Sequence, residues 1–77
     1  MSAQQDAAII ASANADAITL QANVLNTSQL HFAGNAAHNS AAAAWNTVGT
    51  PSAKVAVHTA QAAIHLTTAI QLKAAGK

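Results

Sequence analysis

Large apolar residues in this chain recur at helical spacing, and no segment alternates with a period of two. One stripe reads Ile10, Ala13, Ala17, Leu20 and Val24. A second reads Ile18, Leu25 and Phe32, each seven residues after the last. Toward the C-terminus, Val57 and Ile64 share one line, and Leu66 and Ile70 another. The pattern predicts an all-α chain. Stripes on more than one face call for more than one packing surface.

Helix boundaries follow from the punctuation. Ser2 with Gln5 three residues later fits a capping box. Asn26 to Ser28 and Gly34 are soft spots without proline. The strong break is at 49–52, where Gly49 suits the position after a helix, Thr50 an N-cap and Pro51 a first helical turn. The expected fold is one Ala-rich helical-hairpin domain over 1–77. Helix 1 runs from about 3 to 48, the turn covers 49–51, helix 2 runs from about 52 to 75, and Gly76 ends it.

Such a hairpin is lopsided. At 1.5 Å per residue helix 1 is roughly 68 Å long and helix 2 roughly 36 Å. Helix 2 then reaches back only to Val24 or Leu25, leaving Ile9, Ile10, Ile18 and Leu20 without partners inside the subunit. Either other copies cover them, or the chain bends at Asn26–Ser28 or Gly34 into a compact three-helix subunit. The weakness of both breaks favours the unbroken helix and self-association.

Composition points the same way. Alanine supplies 23 of 77 residues, and charged residues only 6%. Alanine is the best helix former but buries little apolar area, so a chain of this size is poorly able to hold itself together alone. There is no cysteine, hence no disulfide. The uncharged amides Asn14, Gln21, Asn23 and Gln71 stand where a free helix would carry Lys and Glu. Low charge also suits a membrane, but the apolar stretch from Ala53 to Ala75 includes Lys54, His58, Gln61, His65, Gln71 and Lys73, which argues against a span. The N-terminus lacks the basic and apolar regions of a signal peptide, so an extracellular filament or virion component would need a leaderless route.

The candidate chemistry lies in four histidines. His31 and His38 are seven apart, as are His58 and His65, with Trp45 continuing the first line and Leu72 the second. With the turn near Gly49, His65 falls level with Gly34 and His58 with Ala41 or Ala42. A spacing of seven cannot place two ligands of one helix on one metal. A metal or haem site would have to cross helices, with His38 and His58 the pair to watch. The plainer reading makes the histidines hydrogen-bonded interface residues whose protonation below about pH 6 loosens packing. Asp6 and Asp16 lie at the start and Lys54, Lys73 and Lys77 toward the end, as helix dipoles prefer. Lys73 and Lys77 are the candidate contacts to nucleic acid. Nothing resembles catalytic machinery or a cofactor motif, so neither enzyme activity nor a cofactor is expected.

In layout the hairpin with its Thr50, Pro51, Ser52 turn resembles needle subunits of secretion systems. The run from Trp45 to Gly49 resembles the Trp-x-Gly turn of small secreted helical hairpins, with two more residues between. The acidic start, apolar middle and basic end are similar to coat proteins of filamentous phages. Helical self-association is the property these resemblances share. The expected function is a structural subunit of a homopolymer, a filament, tube or sheath. Its intersubunit contacts are expected at Ile9, Ile10, Ile18, Leu20, Val24 and Leu25, with Phe32 and Trp45 as anchors.

Overall fold

The computed structural model describes residues 2–49 and 52–77, and its three helices are α1 (Ala3–Leu25), α2 (Ser28–Thr47) and α3 (Ala53–Ala74). The two-helix hairpin with an unbroken helix over 3–48 is corrected to a three-helix bundle. The break falls at Asn26, which takes the left-handed conformation (φ 50°) and donates its backbone N–H to Ala22 at 2.8 Å. Asparagine is among the few residues that visit this region readily. Thr27 then caps α2 by accepting the Leu30 N–H at 3.2 Å. Gly34, the other soft spot, sits inside α2 without interrupting it.

The other helix ends follow local rules. Ser2 Oγ accepts the Gln5 N–H at 3.1 Å and starts α1. Gly49 follows α2 with φ 82°. The expected roles of Thr50 and Pro51 lie outside the described residues; the cap of α3 is Ser52, whose Oγ accepts the Lys54 N–H. At the far end the Lys77 N–H reaches the Leu72 carbonyl and the Gly76 N–H the Lys73 carbonyl. This paired closure needs a positive φ at Gly76, where it is 80°. The Lys77 carbonyl then accepts the Ser28 N–H at 3.0 Å, tying the end of α3 to the start of α2.

The helices form a rod 43 × 17 × 13 Å, with α2 packed against both α1 and α3. Among the described residues, α1 and α3 meet through side chains alone. Bending at Asn26 removes the overhang of helix 1, yet it does not bury the large apolar residues. The inward positions of α1 are Ala8, Ala15 and Ala22, seven apart. Those of α2 are His31, Gly34, His38, Ala41, Ala42 and Trp45, and those of α3 are His58, Ala62, His65 and Ala69. Small residues bring the helices close enough for the imidazoles to bridge them. At Gly34 this closeness is extreme, since a Cβ there would lie 2.8 Å from two carbons of the His65 ring.

Candidate functional site: a histidine ladder in the interior

Three sets of residues with a period of seven converge on the bundle axis: Ser12, Thr19 and Asn26; His31, His38 and Trp45; His58 and His65. Because α1 and α3 run parallel, Ser12 meets His58 and Thr19 meets His65, both at 3.0 Å and both 46 residues apart in sequence. Because α2 runs antiparallel, His38 meets His58 and His31 meets His65, each pair through Nδ1 atoms at 2.8 Å. Thr19 Oγ1 also meets His38 Nε2 at 2.7 Å. At one end, Trp45 Nε1 donates to Ser12 Oγ at 2.7 Å. At the other, His31 Nε2 meets Asn26 Oδ1 at 3.0 Å. The rings of His31, His65, His38 and His58 follow one another with centroids 5.0, 5.5 and 5.0 Å apart.

These seven bonds form one continuous chain with a single proton arrangement for neutral rings. An indole nitrogen only donates and an amide oxygen only accepts, so both ends are fixed. From Trp45 the protons must run Trp45 to Ser12, Ser12 to His58, His58 to His38, His38 to Thr19, Thr19 to His65, His65 to His31 and His31 to Asn26. His58 and His65 therefore carry their proton on Nδ1, and His31 and His38 carry theirs on Nε2. All eight ring nitrogens are engaged. A second proton on His31 or His38 sets two Nδ1 donors facing each other, while one on His58 or His65 forces the Ser12 or Thr19 hydroxyl to turn its proton away. The indole nitrogen of Trp45 only donates, so the chain relays no proton through that end.

At His38 and His65 the electrostatics favour the neutral ring. Burial lowers the His38 pKa from its ordinary value of 6.5, and His58 and His65 lower it further, against a weaker opposite pull from Asp16. His65 is lowered by burial and then by His31. The Trp45 end is covered from outside by Lys54, whose Nζ lies 4.5 Å from the indole ring centre.

The sequence singled out all four histidines, and His65 does lie against Gly34. The pair His38 and His58 comes together, with Asp16 beside it. One ligand atom from each of the three lies within 4.8 Å of the other two. Ser12, Thr19 and Asn26 were missed, although their period of seven matches that of the histidines.

The apolar residues expected at contacts are mostly on the outside. Val24 is 81% exposed, Leu20 68% and Leu25 65%, and Ile9, Ile10 and Phe32 are exposed as well. Ile18 is half-buried, while Trp45 is taken up inside the subunit. Val57, Ile64, Leu66 and Ile70 are exposed on α3. Two shallow apolar grooves lie on this surface, one lined by Leu20, Gln21, Val24 and Leu25, the other by Ala63, Ile64, Thr67 and Thr68. Lys73 and Lys77 are exposed near the C-terminus. No helix among the described residues is long and apolar enough to cross a membrane. The chain matches no protein-family model, no curated protein and no solved structure.

Proposed function

We propose that this chain is a structural subunit of a homopolymer, joined through its outer apolar faces. The observation that carries this reading is the inverted distribution of polarity: imidazoles inside, Ile, Leu and Val outside. Fully covering one such side chain contributes about 1.5–3 kcal/mol, whereas each interior alanine contributes under about 1 kcal/mol. The stronger apolar contacts are thus left for association.

A second copy fits this surface better than a lipid surface does. Membrane-surface helices carry Lys and Arg opposite their apolar face. Here the whole chain has three basic residues, and the polar exterior is largely amide and hydroxyl, including Asn14, Gln21, Asn23 and Gln71. The two grooves lie on different helices and differ in lining. A contact between them is head-to-tail and need not close, which favours a filament or tube over a dimer.

Sedimentation and negative-stain microscopy of the purified chain test the proposal, with Leu20→Asp as the variant. The proposal expects regular polymers from the natural chain. It expects Leu20→Asp, whose site is already exposed, to remain helical and monomeric. Monomers from the natural chain at all concentrations, normal polymers from the variant, or retention of the natural chain on phospholipid vesicles without self-association would each overturn it.

A further inference from the structure

We infer that Asp16, His38 and His58 form a divalent transition-metal site that clamps the three helices, a role independent of polymer formation. Each helix supplies one ligand, and the three ligand atoms already lie within 4.8 Å of one another. His38 and His58 face each other through Nδ1 at 2.8 Å. A tetrahedral ion bound at about 2.0–2.1 Å to each nitrogen holds them roughly 3.3 Å apart. The pair therefore opens by about half an ångström, which small side-chain rotations supply.

The surrounding hydrogen bonds suit ligation. Metal-bound imidazoles are normally oriented through their second nitrogen. Here Nε2 of His38 is held by Thr19 Oγ1 at 2.7 Å and Nε2 of His58 by Ser12 Oγ at 3.0 Å. Both hydroxyls and Asp16 come from α1, with Asp16 four residues after Ser12 and three before Thr19. His38 already offers a bare Nδ1. His58 becomes a ligand by moving its proton from Nδ1 to Nε2, where it donates to Ser12. The Ser12 hydroxyl proton then turns to a carbonyl one turn back on α1. No proton leaves the protein, and the Asp16 carboxylate offsets one of the two metal charges.

The donor set selects the ion class. Two imidazoles and one carboxylate suit Zn²⁺, Co²⁺, Ni²⁺ or Cu²⁺ rather than Mg²⁺ or Ca²⁺, and three protein ligands leave a fourth position for water. The other pair, His31 and His65, meets with the same 2.8 Å spacing. The chain's two carboxylates are Asp6 and Asp16, and the three-ligand cluster forms at His38 and His58. The His31 pair therefore serves as an internal control.

Titration of the full chain with Co²⁺, read by its visible absorption and by displacement with Zn²⁺, tests the inference. One equivalent should bind in a four-coordinate spectrum and raise the thermal midpoint. Asp16→Asn alters an exposed residue and leaves the ladder in place, so its helicity by circular dichroism should be unchanged. It should weaken binding more than the roughly 10–100-fold typical of losing an outer-shell partner. His58→Gln should abolish the spectrum, while His31→Asn should retain it. Failure to bind one equivalent, or binding that survives Asp16→Asn unchanged, or binding lost in a folded His31→Asn variant, would overturn it.

Discussion

Trp45 donates its indole N–H to Ser12 at 2.7 Å across 33 residues of chain, closing one end of a hydrogen-bond chain whose other end is the Asn26 carboxamide oxygen. Trp45→Phe keeps the packing ring and removes the donor. A net hydrogen bond of this kind contributes about 0.5–1.5 kcal/mol. The variant should unfold at lower urea by that amount without a change in the slope of the transition. An unchanged midpoint would mean that the bond does not form in solution.

Gly34 is set by close approach. In an exposed helix, Gly→Ala stabilises by about 1 kcal/mol. At position 34 the added methyl meets the His65 ring at 2.8 Å, and forcing an extra methyl into a packed site costs about 1–3 kcal/mol. Gly34→Ala should therefore be destabilising in chemical denaturation, against the helix-propensity trend. A more stable variant would show that His65 does not occupy the space above Gly34.

The interior should weaken in acid. His38 and His65 have folded pKa values below the ordinary 6.5, chiefly through burial, with His58 and His65 adding to the shift at His38 and His31 adding to it at His65. Asp16 faces His38 and opposes the shift only weakly. Above pH 6.5 both rings are neutral in the folded and unfolded chain, and stability is complete. As pH falls from 6.5 toward the folded values, the unfolded chain takes up protons that the folded chain does not. Stability then drops by up to about 1.4 kcal/mol per pH unit for each of these rings. Urea midpoints from pH 7.5 to pH 5 should decline, with the onset near 6.5. A flat profile would contradict neutral, buried rings.

If polymers grow head-to-tail between the α1 and α3 grooves, Leu20→Asp and Ile64→Asp each disable one of two different faces. Each variant alone should stay monomeric. An equal mixture should form dimers and go no further, because each variant retains the face the other lacks. Sedimentation velocity reads this directly. Polymers from the mixture, or no association at all, would contradict a two-face contact.

The ends of the helices were largely legible in the sequence, because caps act locally. Ser2, Gly49 and Gly76 serve where the sequence rules place them. The bend at Asn26 was visible only as a weak point. Its cost is met by distant contacts: folding α1 back sets Ser12 and Thr19 against histidines that lie 46 residues away in the chain. Periodicity identified the stripes but could not say which faced inward. The usual rule sends Ile10, Leu20 and Val24 to the core, and here Ala8, Ala15 and Ala22 go there instead. Ser12 and Thr19 were hidden for another reason. Hydroxyls on helices often bond back to their own backbone, as Thr59 and Thr67 do to Val55 and Ala63, so their period of seven carries little weight alone.

The four interior histidines are joined by hydrogen bonds that admit one proton order from Trp45 to Asn26. Side-chain ¹⁵N shifts of uniformly labelled protein at pH 7.5 read that proton order ring by ring. His58 and His65 should carry their proton on Nδ1, and His31 and His38 on Nε2. Four rings sharing the same tautomer, or any ring exchanging rapidly between tautomers as a solvent-exposed histidine does, would contradict that order.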